Sequence, residues 1–210
     1  MKRVQNLIPL VKPYYHSSDP AHDWAHVCRV AATAEILSAG QDINLECVLA
    51  GVYCHDLVNL PKNHPNRGQA SLLSAQEAEA LLKKVEFNED EILSIKKSII
   101  EHSFSKGLKP SSMEAAIIQD SDRLDALGAI GILRCAAVNT KMGSSFYEPM
   151  DPMAKFREPD DKSYMLDHYS IKLYKLPTLM NTQRGRELAL KRVEFMKEFV
   201  SEFIKEIRVQ

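Results

Sequence analysis

The stretch "AGVYCHDLVNLPKNHPNR", residues 50–67, ends an apolar helical run on a bare His-Asp pair, His55-Asp56. A buried imidazole beside a buried carboxylate is costly unless another charged group compensates both. Two other places in the chain offer suitable chemistry. Upstream, "HDWAHVCRV" sets His22 and His26 four residues apart, on one face of a helix. Downstream, "IIQDSDRLDALGAIG" carries Asp120, Asp122 and Asp125 after an apolar run. Asp120 and Asp122 lie about 200° apart around a helix axis, so both cannot face one centre. Asp122 shares a face with Ile118, Asp125, Ala126 and Ala129, mostly small or apolar, which makes it the inward carboxylate and Asp125 its neighbour.

A divalent cation answers the demand of the doublet. Two neutral imidazoles and two carboxylates around a 2+ ion balance electrically. The mixed nitrogen and oxygen donors suit a transition ion better than calcium or an all-oxygen magnesium site. Mn is expected foremost, with Co, Ni, Zn, Fe or Mg as alternatives. Against this stand the bland readings. A histidine at a helix end is usually an ordinary residue, HxxxH alone is weak, and "DSD" is often a cap or an exposed turn. Their combination, in this order and each beside apolar helix, carries the argument.

The remainder reads as all-α. A helix over "SSDPAHDWAHVCRVAATAEILSAG" is predicted with Asp19 as cap and Pro20 at the first position, ending at Gly40. Others are expected at Leu45–Asp56, over "QASLLSAQEAEALLKKV", and over "NEDEILSIKKSIIEHS" with a cap near Asn88. "SSMEAAIIQDSDRLDALGAIGILRCAAV" reads as one long central helix. From Asn139 to about Tyr164 the pattern gives way to Gly, Ser, Pro and charge, the signature of a long loop or lid. "LDHYSIKLYKL" resumes the helices. The last, "NTQRGRELALKRVEFMKEFVSEFIKEIR", places Leu188, Phe195, Met196, Phe199, Val200, Phe203 and Ile207 on an apolar stripe, for the core or a subunit contact. A homodimer is compatible with that stripe.

Composition bounds the function classes. The chain of 210 residues is 45% hydrophobic and 26% charged, ordinary for a globular protein, and long enough for one domain with a substantial core. Net charge near −1 argues against an extended nucleic-acid footprint. No apolar run reaches the ~20 residues of a membrane span, and "MKRVQNLIPLV" lacks an export signal's cleavage site. Cys28, Cys47, Cys54 and Cys135 are scattered without a CxxC pair, which predicts reduced, buried thiols and a cytoplasmic protein. Phosphate-loop, nucleophile-elbow and dinucleotide motifs do not occur in the sequence.

"HVCRVA", "CHDLVN" and "DSDRLDALG" together resemble the His…His-Asp…Asp signature of the HD-domain metal-dependent phosphohydrolase superfamily. The resemblance extends through "HDLVNLPKNHPNR", "EHSFSKG" and "LDHYSIKLYKLP…NTQRGRELA" to a bacterial branch of small, stand-alone HD hydrolases, over about residues 15–200. It implies a single HD-type helical domain over residues 1–210, with a metal site between helices, 139–164 as loop or lid, and 165–210 as helices packed on the domain. It implies His26, His55, Asp56 and Asp122 as metal ligands, His26 fitting the family pattern better than His22. The implied activity is hydrolysis of a phosphate anhydride or ester of a small phosphorylated substrate, nucleotide-like and by analogy a pyrophosphohydrolase. A dinuclear HD-type oxygenase and a catalytically silent nucleotide-binding module are the alternatives.

One departure stands out. HD nucleoside monophosphatases carry a glutamate four residues past the doublet histidine, where this chain has Asn59, which cannot take a proton. The base is then a hydroxide on the metal, Asp122 or Asp125, or His102. Asp56, Asp122 and His102 are the catalytic candidates, and His102 could equally bind a second ion, meet the leaving group or face solvent. Lys62, His64 and Arg67, in the loop leaving the doublet, are candidate phosphate contacts. Arg123 either reaches substrate or pairs with Asp120. His168, Tyr169, Lys172 and Lys175 either close over substrate or form a solvated face, and Trp24 is a core anchor or the wall of a base pocket.

Overall fold

A computed structural model of the chain describes residues 1–15, 21–60, 64–103 and 106–207. About 70% of it is helical, with no strand among the described residues and a single isolated bridge between Ser145 and Tyr164. The chain forms two compact units, residues 1–122 and 123–210.

The first unit holds α1 (Lys2–Val11), α2 (Trp24–Ser38), α3 (Leu45–Cys54), α4 (Ala70–Lys84), α5 (Glu89–His102) and most of α6 (Met113–Asp125). Short polar side chains set the starts of α2, α3 and α5, satisfying otherwise orphaned backbone N–H groups, worth about 1 kcal/mol apiece. Asn44 accepts from the Cys47 amide, and Asn88 forms a reciprocal capping box with Glu91. The cap of α2 is Asp23, which accepts from the His26 amide at 2.8 Å. The expected start at Asp19 and Pro20 lies outside the described residues, and the helix itself opens four residues after Pro20.

Leu7, Val27, Ala50, Cys54, Leu82, Ile95 and Ile99 meet in one core, each shielded from water. Fully burying a side chain of the Val, Leu or Ile type contributes roughly 1.5–3 kcal/mol. Trp24 packs on this core, stacked on Tyr53 with ring centroids 5.7 Å apart, so it is a core anchor. Arg3 clamps the edge of the unit: its Nε donates to Glu46 at 2.8 Å and its terminal nitrogens fork onto Glu91 at 2.6 and 2.9 Å.

The second unit contains α7 (Gly128–Met142), α8 (Met165–Ile171), a 3-10 segment (Leu173–Leu179) and α9 (Gln183–Glu206). The single long helix expected across residues 111–138 is two helices. Gly128 adopts φ +72°, a left-handed conformation that glycine takes without a steric penalty, and it breaks the run between Asp125 and α7. The expected loop is also shorter, because α7 continues to Met142 and ends on Gly143.

The segment after α7 is laced to itself. Asp151 accepts from the amides of Lys155 and Phe156, and Arg157 forks onto the buried carboxylate of Asp167. The Asp160 amide donates to Asp167 at 2.7 Å, and the Arg157 guanidinium lies over the Tyr164 ring. On α9 the buried stripe is Gly185, Ala189, Val193, Met196 and Val200, whereas Phe195 and Phe199 are exposed. The predicted stripe therefore merged two faces. Cys47 and Cys54 are buried and none of the four cysteines forms a disulfide, but Cys28 is exposed, against expectation.

Candidate metal centre

Local structure places each donor. His26 falls in the first turn of α2, fully buried, because Asp23 caps that helix through the His26 amide. His55 follows the last residue of α3, still in helical conformation and fully buried. Its Nδ1 lies 2.6 Å from the Val52 carbonyl. A carbonyl can only accept, so Nδ1 carries the proton and Nε2 presents a lone pair. His102 repeats the device at the end of α5, with Nδ1–H donating to the Ile99 carbonyl at 2.6 Å. Hydrogen bonding of this kind fixes ring orientation and tautomer in metal-binding histidines.

The ring ends converge. His26 Nε2 and His55 Nε2 are 3.3 Å apart. Asp122 Oδ1 lies 3.6 Å from the first and 3.9 Å from the second, and Asp56 Oδ2 lies 3.6 Å from His55 Nε2. Donor atoms of His26, His55 and Asp56 all fall within 4.8 Å of one another. Ligands each ~2.1 Å from a shared cation stand roughly 3–3.5 Å apart, close to this spacing. A proton on His26 Nε2 would satisfy the imidazole pair alone, whereas a 2+ ion also satisfies the two carboxylates beside it. The donor set fits a divalent transition ion.

Electrostatics agree. Burial is the largest single influence on Asp56 and pushes its carboxyl upward. Positive charge at the positions of His55, His22, His102 and His26 outweighs it and holds the group well below the usual carboxylate range, so Asp56 is set to meet a cation. Burial, followed by the neighbouring His55, lowers the pKa of His102 and favours its neutral form. His102 is nearly closed off from solvent, with Nε2 3.8 Å from Asp56 Oδ1 and its ring edge-on to His55 at 5.0 Å.

The other candidates are more dispersed. His64 is half-buried and accepts from the Asn66 amide through Nδ1. Arg67 donates to Asn59 Oδ1 at 2.8 Å and to the Leu60 carbonyl, so it shapes the loop after the doublet. Lys62 lies outside the described residues. The Arg123 guanidinium donates to the Leu179 carbonyl at 2.6 Å. Asp125, read as a neighbour of Asp122, binds Arg134 at 3.0 Å. His168 pairs with Asp161, Tyr169 is buried, and Lys175 is exposed.

Two supporting features escaped the sequence reading. His22, set aside in favour of His26, lies edge-on to it at 5.9 Å and acts on Asp56, but from the turn before α2 and not from the shared helix face that its spacing suggested. Gln119 bridges helices, its amide donating to the Glu101 carbonyl at 2.8 Å and the Leu108 carbonyl at 3.1 Å. Glu101 in turn accepts from the amide and hydroxyl of Ser111. No local pattern announces such a bridge.

Comparison with known proteins follows this geometry. The HD domain family profile matches residues 23–127, a span that contains all four expected ligands. YpgQ of Bacillus subtilis is 28% identical over 208 residues, covering 99% of this chain and 95% of that protein. Its crystal structure in complex with ADP superposes with a TM-score of 0.77 at 27% identity, covering 99% and 96% of the two chains. A crystal structure from Lactobacillus plantarum gives 0.79 at 27% identity, covering 99% and 98%. An HD-superfamily hydrolase from Bacillus thuringiensis gives 0.74 at 28% identity, covering 99% and 97%. With half its length matched by that profile and its His, His-Asp and Asp side chains gathered as described, the chain belongs to the HD domain family.

Proposed function

We propose that this protein is a metal-dependent phosphohydrolase that cleaves a phosphate anhydride or ester, foremost a nucleotide anhydride in the manner of a pyrophosphohydrolase. The observation that carries the reading is the approach of His26 Nε2 and His55 Nε2 to 3.3 Å, with Asp122 Oδ1 within 3.9 Å of both. His26, His55, Asp56 and Asp122 would hold the ion, Mn first among Co, Ni, Zn, Fe and Mg. A divalent ion there supplies a hydroxide nucleophile near neutral pH and screens phosphate charge.

The protein's own groups do the rest. The Val52 and Ile99 carbonyls orient His55 and His102 before substrate arrives. His102 Nε2, a lone-pair acceptor beside Asp56, is placed to receive a proton from water. Asn59 cannot fill that role, which argues against monophosphatase chemistry. Lys62, His64 and Arg67 follow the doublet directly, and we assign phosphate contact to this loop. Arg67 holds the loop through one guanidinium nitrogen, leaving further N–H donors for phosphate oxygens. The nucleotide assignment is supported by the ADP complex of YpgQ. Cysteines that form no disulfide, together with no helix long and apolar enough to cross a membrane among the described residues, are compatible with the cytoplasmic setting we assign.

The test is a panel of nucleotides and phosphoesters with Mn, Co, Ni, Zn and Mg, the products identified. Metal-dependent release of pyrophosphate from a nucleoside triphosphate is expected. Turnover that requires dioxygen would replace this reading with an oxygenase. Tight nucleotide binding without turnover under every metal would leave a silent binding module.

A further inference from the structure

We propose that Gly51 is a positioning residue for the metal centre, its missing side chain setting the approach of α6 to α3 so that Asp122 reaches the histidine pair. The inference rests on the metal site of the hydrolase reading and adds to it a residue that donates nothing. Gly51 lies in the middle of α3, where glycine costs roughly 0.5–1 kcal/mol relative to alanine. Its φ is not left-handed, so conformational freedom does not explain it. Space does. A Cβ at Gly51 would stand 2.5 Å from Ile118 Cδ1, 3.7 Å from Ile118 Cγ1 and 3.9 Å from Ile95 Cγ2. Carbon atoms pack at about 3.5–4.0 Å, so the first of these contacts cannot persist.

The atom struck is the far end of a flexible side chain, but Ile118 and Ile95 are each 1% exposed, so Cδ1 can turn aside only against packed neighbours. The two positions have matching registers. Gly51 precedes His55 by four residues and Ile118 precedes Asp122 by four, one helical turn in both cases. Contacts at 51–118 and again at 55–122 mean that the helices run in the same direction here. Spacing at the first pair is therefore handed on to the second, where Asp122 Oδ1 stands 3.9 Å from His55 Nε2. A methyl at Gly51 is relieved either by Ile118 Cδ1 turning into that packed core or by a shift of α6 of up to about an ångström, and it is the shift of α6 that would misplace Asp122. Ligand distances in such sites tolerate only about 0.2 Å.

The experiment compares wild type, Gly51→Ala, Ile118→Val and the double variant, because Val lacks the one atom that the new methyl would strike. Mn²⁺ affinity is measured by calorimetric titration and folding by circular dichroism in EDTA. Gly51→Ala should keep its helical signal and weaken Mn²⁺ binding by about tenfold or more, as loss of ligand support commonly does. Ile118→Val should bind as wild type, and the double variant should recover to within about threefold of wild type, most of the loss that ligand misplacement causes. Wild-type affinity in Gly51→Ala, or a loss that Ile118→Val does not relieve, overturns the inference while the hydrolase reading stands. If Gly51→Ala does not fold, the double variant decides: folded with near wild-type affinity supports the proposal, and folded but weak, or unfolded, overturns it. A wild-type protein that binds neither Mn²⁺ nor Co²⁺, Ni²⁺ or Zn²⁺ removes the hydrolase reading and this inference together.

Discussion

Two carboxylates in this molecule meet opposite partners. Asp167 is almost wholly buried and receives the two-pronged guanidinium of Arg157 together with the Asp160 amide. Asp56 is half-buried and faces the imidazoles of His55 and His102, whose Nδ1 protons are already given to backbone carbonyls. The first arrangement is closed, with acceptor oxygens met by fixed positive donors. The second presents lone pairs to lone pairs, an arrangement suited to holding a cation. Asp167 is the more deeply buried acid, yet of the two it is Asp56 that has coordination to offer a ligand.

The largest effect that would test this contrast is at Asp56. Asp56→Ala should remove Mn²⁺ binding in calorimetry and reduce metal-dependent turnover to background. Full turnover by the metal-stripped variant would refute the centre. In the closed region, Arg157→Met strands the Asp167 carboxylate and should lower unfolding free energy by about 3 kcal/mol in urea titration. Adding Asp167→Leu to that variant should restore most of the loss, since the stranded charge is then gone.

Metal removal gives a slightly smaller effect on the open region. Mn²⁺ at one hundred times its Kd should stabilise wild type by about 2.7 kcal/mol over the EDTA-treated protein, and Asp56→Ala should show no such gain. The smallest effect belongs to the partly exposed counterpart of the Arg157 fork. Glu91 is held below its usual range by Arg3, and Glu46 by the terminal amine of Met1 and then Arg3. A depressed folded pKa stabilises above the unfolded value of ~4.3 and ceases to do so as pH falls through the folded value. Melting temperature should therefore drop on acidification below pH ~4.3. Arg3→Met should flatten that drop at an overall cost of about 1 kcal/mol or less, since the clamp is partly solvated.

Reading the sequence worked where chemistry and local geometry coincide. The doublet follows an apolar run, Asn88 with Glu91 spells a capping box, and Asp122 approaches both histidines, although Asp120, turned away by the angular argument, is the fully buried carboxylate and Asp122 only half-buried. It failed where one backbone torsion decides. The apolar period continues through "LDALGAIG", so nothing in the pattern marks the turn that Gly128 makes with positive φ. The described start of α2 is Trp24, capped by Asp23 through the His26 amide, and Asp23 carries the same short carboxylate chemistry as the expected cap. On α9 the aromatic residues were assigned to the core or a subunit contact, and Phe195 and Phe199 are exposed while Met196 and Val200 are buried.

The sequence alone determined that the chain is helical, that its helices end on histidine and aspartate, and which family grammar those residues follow, because periodicity and motif spacing are local properties. The tertiary structure alone decided which donor atoms meet. It aimed His55 and His102 through carbonyls three residues behind them, brought Asp122 to the imidazole pair, and left room for that approach at Gly51. Those outcomes depend on distances between helices, which are set by packing that no single segment contains.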